Sequence, residues 1–243
     1  MNKNEFKIIH FDSIDSTSTY LKRSYNELDN LTIVFADHQT SGHGRMKREW
    51  VSPKGDSLLF SILFKDKDII SNFKDLSLMS AVIIRKFILD YVDDVSIKWP
   101  NDVYVNGKKI CGILLESVSM GEDIDAVVLG IGININIKGF NDELKHKATS
   151  LYLETNKTFD IDVLKQNLLI HLSNLVNRIK NHDKTYLDTV REHNYLAGKE
   201  VIATIENEEC RVLVITVADD NRLIVLKDGM YFSLSVGEVL PIN

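Results

Sequence analysis

The sequence has 243 residues, of which 44% are hydrophobic and 26% are charged, and its formal net charge is −6. This length and composition fit a globular protein with one large and one small domain. The negative charge argues against a general nucleic-acid-binding protein, because such proteins usually carry a basic surface. The two cysteines, Cys111 and Cys210, give neither a disulfide framework nor the spacing of a zinc site, and we expect both to be reduced core residues. We see no signal peptide and no apolar run long enough to span a membrane, so we expect a cytoplasmic protein without a membrane partner.

Strand and helix patterns alternate along the first three quarters of the chain. A segment rich in serine and threonine at 15–19 follows the first strand and predicts the capped start of a helix. Two longer segments, 73–91 and 161–179, have the apolar periodicity of amphipathic helices. The Asn106-Gly107 pair predicts a type I′ hairpin turn between two strands. Predicted strands occupy residues 6–11, 31–36, 57–64, 95–99, 103–105, 110–116 and 126–137.

The pattern changes near Gly198, where short strands divided by polar turns begin. Such spacing over ~45–50 residues predicts a small all-β barrel. We therefore predict two domains, at 1–192 and 193–243. The predicted strands of the second domain are 201–205, 210–217, 223–226, 230–234 and 239–240.

Glycines alternate with cationic side chains in a loop between the second and third predicted strands. Glycines let backbone N–H groups approach an anion closely, and arginine or lysine neutralises its charge. Trp50 follows, and an aromatic side chain beside such a loop can stack on a nucleobase. The loop is not a Walker A motif, and a solvated surface loop is the alternative interpretation. It reads Ser41-Gly42-His43-Gly44-Arg45-Met46-Lys47-Arg48.

A second segment combines five specialised side chains at the end of a predicted strand, Lys98-Trp99-Pro100-Asn101-Asp102. Such a run makes a poor core and is typical of the edge of a site. Pro100 fixes its own φ and favours an extended Trp99. The alternative is a strand-ending turn in which Asn101 and Asp102 bond to the backbone.

Two further segments place glycines inside predicted strands. Lys109 lies near a strand start and close to Gly112, so its ammonium group could enter a pocket, although edge-strand lysines also protect against aggregation. Gly130 and Gly132 precede Asn134 and resemble half of a dinucleotide fingerprint. We reject that interpretation because no third glycine follows and the strand period continues. Glycines within a strand indicate instead that a ligand or another backbone approaches closely.

Taken in order, these segments resemble the motifs of biotin–protein ligases. The resemblance covers residues 12 to 137, and the C-terminal segment, through residues 198–201 and 235–239, is similar to the family's SH3-like domain. The segments that carry it are Ser16-Thr17-Ser18, Gln39, Gly42-His43-Gly44-Arg45, Arg48, Trp50-Val51-Ser52-Pro53, Lys98-Trp99-Pro100-Asn101-Asp102, Lys108-Lys109, Gly112-Ile113-Leu114-Leu115-Glu116 and Gly130-Ile131-Gly132-Ile133-Asn134.

The resemblance implies an α/β (α+β) fold, with a catalytic domain like that of class II aminoacyl-tRNA synthetases, built from a mixed sheet and helices, and a small SH3-like β-barrel. It implies a ligase that activates biotin with ATP to biotinoyl-5′-AMP, with Mg²⁺ on the ATP phosphates. The ligase would then transfer biotin to a specific lysine of a biotin carboxyl carrier protein domain of a carboxylase. A lipoate– or octanoate–protein ligase and a catalytically weak biotin-binding module are the alternatives.

The resemblance also bears on partners. Some members begin with a winged helix-turn-helix DNA-binding domain, for which no room remains before Ser16, so we expect a monofunctional ligase with no DNA partner. The family contains monomers and homodimers, and the sequence does not choose between them.

Roles for individual residues follow from the resemblance. Arg45 and Lys109 are the candidate catalytic cations, Asp102 is the candidate proton acceptor, and Gly132 is expected to let the ligand's tail lie against its strand. We expect no metal bound by protein side chains alone. Candidate biotin-binding residues are Ser16, Thr17, Ser18, Gln39, Gly42, His43, Gly44, Arg45, Lys109, Gly112 and Gly130, and candidate ATP-binding residues are Arg45, Arg48, Trp50, Asn101, Lys109 and Asn134.

Three positions depart from the family pattern. His43 stands where arginine is usual, Lys47 replaces a glycine, and Ser18 stands where asparagine is common. A neutral histidine donates one hydrogen bond, whereas arginine offers five donors and a fixed charge. The departures bear on affinity and on retention of the adenylate rather than on the class of reaction.

Overall fold

The structure, a computed structural model, describes residues 6–121, 123–206, 208–235 and 239–241. These residues form a seven-stranded mixed sheet and, further along the chain, a five-stranded antiparallel sheet. The strands of the first sheet are β1 (Lys7–Phe11), β2 (Thr32–Ala36), β3 (Ser57–Phe64), β4 (Val95–Lys98), β5 (Asp102–Val105), β6 (Lys108–Ser119) and β7 (Ile124–Asn134). Their order is β1-β2-β3-β7-β6-β5-β4, and the β1–β2 pair is parallel while the other described pairs are antiparallel.

Helices cover the two faces of this sheet unequally. The described helices are α1 (Thr17–Ser24), α2 (Lys67–Ser71), α3 (Phe73–Leu89), α4 (Leu151–Thr155), α5 (Ile161–Lys180) and α6 (Tyr186–Glu192). The main core lies on the face covered by α3 and α5, where Phe60 and Ile131 belong to the same apolar cluster as Leu76 and Leu168. On the opposite face, α1 packs over β2, β3 and β7 through a smaller cluster around Leu21. The rest of that second face, which carries the strand glycines, is available for a site.

Local sequence accounts for where several elements begin and end. The Ser16 side chain accepts a hydrogen bond from Thr19 N–H at 3.4 Å, which caps α1 as the Ser/Thr-rich segment predicts. Asn106 and Gly107 both have positive φ, 49° and 75°, which confirms the predicted hairpin turn. The predicted strand 126–137 ends at Asn134, because the next two N–H groups donate to Asp56 O instead of continuing the ladder. The short helices α2, α4 and α6 were not predicted.

The second sheet contains β8 (Glu200–Ile205), β9 (Glu208–Val217), β10 (Leu223–Lys227), β11 (Met230–Leu234) and β12 (Leu240–Pro241), in the order β11-β10-β9-β8-β12. All its pairs are antiparallel, as predicted for a small all-β unit. Residues 236–238 of the predicted C-terminal motif lie outside the described residues. No helix in the described part of the chain is long and apolar enough to cross a membrane.

One turn of the second sheet holds the functional segment of the first. The Trp99 indole N–H donates to Asn221 O at 2.9 Å, across the boundary between the sheets. The Asn221 side chain bonds to the Tyr186 hydroxyl at 2.7 Å and to Asp75 at 2.6 Å. Trp99 is 2% exposed, and this bond fixes the segment at 98–102 against the second sheet. Lys98 and Asp102 lie on the sheet face opposite the main core.

Candidate active site

A buried cluster of hydroxyl and amide groups lies where α1 meets β3. Thr17 N–H and Thr17 Oγ1 lie 2.8 and 3.1 Å from Gln39 Oε1. Ser61 Oγ lies 2.7 Å from Thr17 Oγ1 and 2.9 Å from Ser18 Oγ. Gly130 makes room for the cluster, because a Cβ there would lie 2.5 Å from Ser18 Oγ. The structure thus brings the predicted Thr17, Ser18, Gln39 and Gly130 together with Ser61, which the sequence did not single out.

The glycine-containing loop folds back on itself at residues 42–50. Gly44 N–H donates to Arg48 O at 2.7 Å, and Trp50 N–H donates to Gly42 O at 3.0 Å. A Cβ at Gly42 would lie 2.8 Å from Trp50 O, so only glycine permits this closure. The loop is therefore a defined turn rather than an extended surface segment.

Arg45 connects this turn to the segment at 98–102. Its Nη1 donates to Asn101 Oδ1 at 3.2 Å. Asn101 is itself fixed to β6, since its Nδ2 donates to Ile113 O at 2.6 Å and its carbonyl accepts from Ile113 N–H at 3.0 Å. The predicted Arg45 and Asn101 are therefore in contact, whereas the predicted Arg48 lies exposed at the end of the turn.

Trp50 lies flat against the strand glycines. Gly112 and Gly132 pair across β6 and β7, and a Cβ on either would lie 2.9 or 2.6 Å from the indole ring. The ammonium group of Lys109 is 5.7 Å from the ring centroid, within the range of a cation–π contact. The Trp50 indole nitrogen is buried and has no hydrogen-bond partner among the described residues. The glycines thus admit the Trp50 ring of this chain to the sheet surface, whereas their place within strands predicted the close approach of a ligand or another backbone.

Lys109 and Asp102 form an ion pair at the same face. Their charged atoms lie 2.8 Å apart, with side-chain exposures of 32% and 16%. Burial, with the nearby Asp102 carboxylate as a second cause, raises the pKa of the Tyr104 phenol, so this neighbour stays neutral. Cys111 is completely buried, which confirms its predicted core position, and this burial raises the pKa of its thiol. Cys210, which was also predicted to lie in the core, is only half-buried.

A segment before α4 completes the wall beside Lys109 and was not predicted. Lys109 N–H donates to Lys147 O at 2.8 Å, and Thr149 N–H donates to Lys109 O at 2.9 Å. The predicted Asn134 is buried, and its Nδ2 donates to Thr149 O at 2.9 Å. The residues around 147 look like an ordinary polar loop in the sequence. Only their hydrogen bonds to β6 show that they lie beside Lys109.

His43 lies over a second ion pair that the sequence did not predict. Lys22 Nζ on α1 is 2.6 Å from Glu116 Oε1, and His43 Nε2 is 3.7 Å from Glu116 Oε2. The loop therefore approaches both α1 and β6 at the position where it departs from the family pattern. The side chain of Lys47, the other departure in the loop, lies outside what the structure describes.

Sequence comparison finds relatives for most of this chain. The Bacillus subtilis protein named bifunctional ligase/repressor BirA is 35% identical over 167 residues, which are 67% of this chain and 51% of that protein. The protein of the same name from Escherichia coli K12 is 25% identical over 228 residues, 93% of this chain and 71% of its own length. The chain thus spans about half the length of the first of these relatives.

A comparison with solved structures and a family model also find ligases. The structure described as biotin protein ligase from Aquifex aeolicus in complex with biotin and ATP has a TM-score of 0.83 and 27% identity, over 97% of this chain and 98% of that one. The model of the biotin/lipoate A/B protein ligase family matches residues 10–134. Since that match spans more than half of the sequence, the chain belongs to the biotin/lipoate A/B protein ligase family, as the order of its motifs predicted.

Proposed function

We propose that the protein activates biotin with ATP to form biotinoyl-5′-AMP and transfers the biotinoyl group to a lysine of a carrier protein. The observation that carries the proposal is the layout of one sheet face. Hydroxyl and amide groups lie at one end, around Ser61, and the Lys109 cation lies at the other. Between them run the strand glycines Gly130, Gly132 and Gly112, of which the last two are covered by the flat Trp50 ring. A bicyclic urea with an apolar tail ending in a carboxylate matches this order.

The buried cluster suits the ureido ring of biotin. That ring offers N–H donors and a carbonyl acceptor, and serine, threonine and glutamine side chains supply the complementary groups. Thr17, Ser18 and Gln39 are at most partly exposed. Thr17 is already bonded to Gln39, and both Thr17 and Ser18 are bonded to Ser61, so little ordering is needed when the ring binds. We assign them to ring recognition, with Ser16 holding the start of α1 as its cap.

The cationic end suits the reacting carboxylate and phosphate. A carboxylate repels a polyphosphate, so the reaction needs cations that neutralise both anions and hold them in line. Lys109 lies beside the glycine strip, the row formed by Gly130, Gly132 and Gly112. Arg45 reaches Asn101 from the loop that lies above this strip. With these charges in place, the biotin carboxylate oxygen attacks the α-phosphorus, the bond to the β-phosphate oxygen breaks, and pyrophosphate leaves.

Transfer then needs a neutral amine at the acyl carbon. The lysine nitrogen of the acceptor attacks the mixed anhydride, its bond to the phosphate oxygen breaks, and AMP leaves. Asp102 holds Lys109 through its ion pair and is our candidate for orienting the amine and accepting its proton.

We assign the nucleotide to the Trp50 side of the strip. The Trp50 indole already lies on Gly112 and Gly132, and a nucleobase can stack on an aromatic ring. The buried amide of Asn134 and the backbone near Thr149 are placed to bond to the nucleoside.

We further propose that Mg²⁺ accompanies ATP rather than resting in a protein cage. Among the described residues, the group of side chains that could hold an ion is His10, Asp12 and Asp37, at the β1–β2 edge. Strands β3 and β7 separate that edge from β6 and Lys109. Mg²⁺ commonly binds through substrate phosphates with few protein ligands, which fits this arrangement. A carboxylase carrier domain as acceptor, the lack of a DNA partner, the cytoplasmic location and the choice between monomer and homodimer stay predictions.

Biotin-dependent ATP–pyrophosphate exchange tests the proposed function. We expect exchange with biotin and none with lipoate or octanoate. Exchange with lipoate alone would establish the lipoate ligase alternative, and tight biotin binding without exchange would establish the catalytically weak module.

A further inference from the structure

The hydrogen bonds around Ser61 have a fixed direction. Thr17 N–H can only donate, so the Gln39 atom 2.8 Å away is the amide oxygen. That oxygen can only accept, so the Thr17 hydroxyl donates its proton to Gln39 Oε1 at 3.1 Å. Thr17 Oγ1 must then accept from Ser61 at 2.7 Å, and Ser61 must accept from Ser18 at 2.9 Å. Every proton in the series is therefore assigned.

The two ends of this hydrogen-bond series differ, since one end offers only an acceptor and the other offers donors. Ser18 Oγ has given its proton to Ser61 and keeps only lone pairs. Gln39 Nε2 keeps two N–H donors and lies toward Gly42, where a Cβ would be 3.1 Å away. Ser61, which is fully buried at 0% exposure, connects Thr17 to Ser18, whereas the orientation of Gln39 is set by Thr17 N–H alone.

We propose that Ser61 is a positioning residue that makes Ser18 an obligate acceptor for an N–H group of the substrate ring. The inference rests on the proposed function, because it takes the ring to be a cyclic urea. A urea N–H meets an acceptor at Ser18, and its carbonyl meets the donors of Gln39. Without the Ser61 hydroxyl, the Ser18 proton is free to turn, and the polarity at that end is no longer set.

The test compares biotin with the two cyclic carbamate analogues, in each of which one ring N–H is replaced by oxygen. Direct binding is measured by isothermal titration calorimetry, so turnover is not required. In the wild type we expect one analogue to bind roughly tenfold or more weakly than biotin, because its ring oxygen faces the Ser18 lone pairs. We call the dissociation constant of this analogue divided by that of biotin the discrimination ratio. In Ser61→Ala this ratio should fall at least severalfold, since Ser18 can then donate to the ring oxygen.

Three further variants separate this role from a structural one. Ser61→Thr keeps a hydroxyl and should keep the wild-type ratio even if overall affinity falls. Ser18→Ala and the Ser18→Ala/Ser61→Ala pair should give the same ratio, because the second change acts only through Ser18. Ser80→Ala removes another buried serine hydroxyl, on α3 and without a hydrogen-bond partner in the described structure, and should leave the ratio unchanged.

The outcomes are distinct. An unchanged ratio in Ser61→Ala overturns the inference while leaving the proposed function standing. Equal weakening of all three ligands together with a lower melting temperature shows a structural role only, and also overturns it. Failure of the wild type to bind biotin at all would instead overturn the proposed function.

Discussion

The two ends of the proposed ligand strip are built in different ways. Near α1, the recognition groups sit on packed elements and bond to one another, and Ser61 is completely buried. At the other end, Arg45 sits on a turn held by a few hydrogen bonds, and Lys109 is about one-third exposed. Groups fixed by packing can discriminate between ligand shapes, whereas cations beside the reacting atoms stabilise the charge that develops in the transition state. We therefore expect variants at the first end to change KM for biotin, and variants at the second to change kcat.

The largest effect is expected from Lys109→Ala. The change removes the cation nearest the proposed carboxylate–phosphate junction and leaves Asp102 without its 2.8 Å partner. Biotin-dependent pyrophosphate exchange should fall at least tenfold, and about 100-fold if Lys109 acts mainly on the transition state. The loss should appear in kcat rather than in KM for biotin.

Lys108→Ala is the matched control for that variant. Lys108 is the adjacent residue of β6 and is similarly half-buried, but its side chain lies on the other side of the strand. Its exchange rate should stay within about twofold of the wild type on the scale of ordinary surface changes. Exchange that is unchanged in Lys109→Ala, or reduced equally in both variants, would refute the assignment of Lys109.

Gly130→Ala should have the next largest effect, at the hydroxyl end. The added methyl group would lie 2.5 Å from Ser18 Oγ, so Ser18 or the strand must shift. Overpacking of this kind costs about 1–3 kcal/mol, which corresponds to roughly tenfold or more in KM for biotin. Gly139→Ala is the control, because a Cβ there has nothing within 4 Å. A rise in KM for ATP but not for biotin would contradict the comparison between the two ends.

Trp50→Ala tests the middle of the strip. If adenine stacks on the indole, KM for ATP should rise about fivefold or more, since stacking of a base on an aromatic ring contributes about 1–3 kcal/mol. KM for biotin should change less, because Thr17 and Gln39 are untouched. Steady-state titration of each substrate measures the split, and an equal rise for both would show that Trp50 serves only to fill the space over Gly112 and Gly132.

Sequence alone predicted much of the fold because the signals involved are local. The Asn106-Gly107 turn and the alternating or apolar strand runs depend on neighbouring residues, and the structure confirms them. The end of β7 was missed because it depends on Asp56, far away in sequence. Long-range pairing, not residue type, decides where such a strand stops.

The site divides in the same way. Motif residues such as Gln39 and Lys109 stand out by type and order. Ser61 does not, since a serine inside an apolar strand looks like any buried serine until Thr17 and Ser18 are placed on it. Glu116 was part of a quoted motif, yet its partners Lys22 and His43 come from two other elements. Roles that arise from tertiary contacts were therefore beyond the reach of a single sequence.

The smallest effect is expected at His43, where the loop approaches the Lys22–Glu116 ion pair between α1 and β6. Its Nε2 is 3.7 Å from Glu116 Oε2, too far for a hydrogen bond. His43→Arg supplies a longer side chain with a fixed charge that can reach this carboxylate. Partly exposed ion pairs contribute about 0.2–1 kcal/mol, so release of biotinoyl-AMP should slow by roughly two- to threefold, measured on the preformed complex. Adding Glu116→Gln should abolish the gain. If the gain persists, the new arginine acts on the ligand itself, and the loop is held by the adenylate rather than by the Glu116 carboxylate.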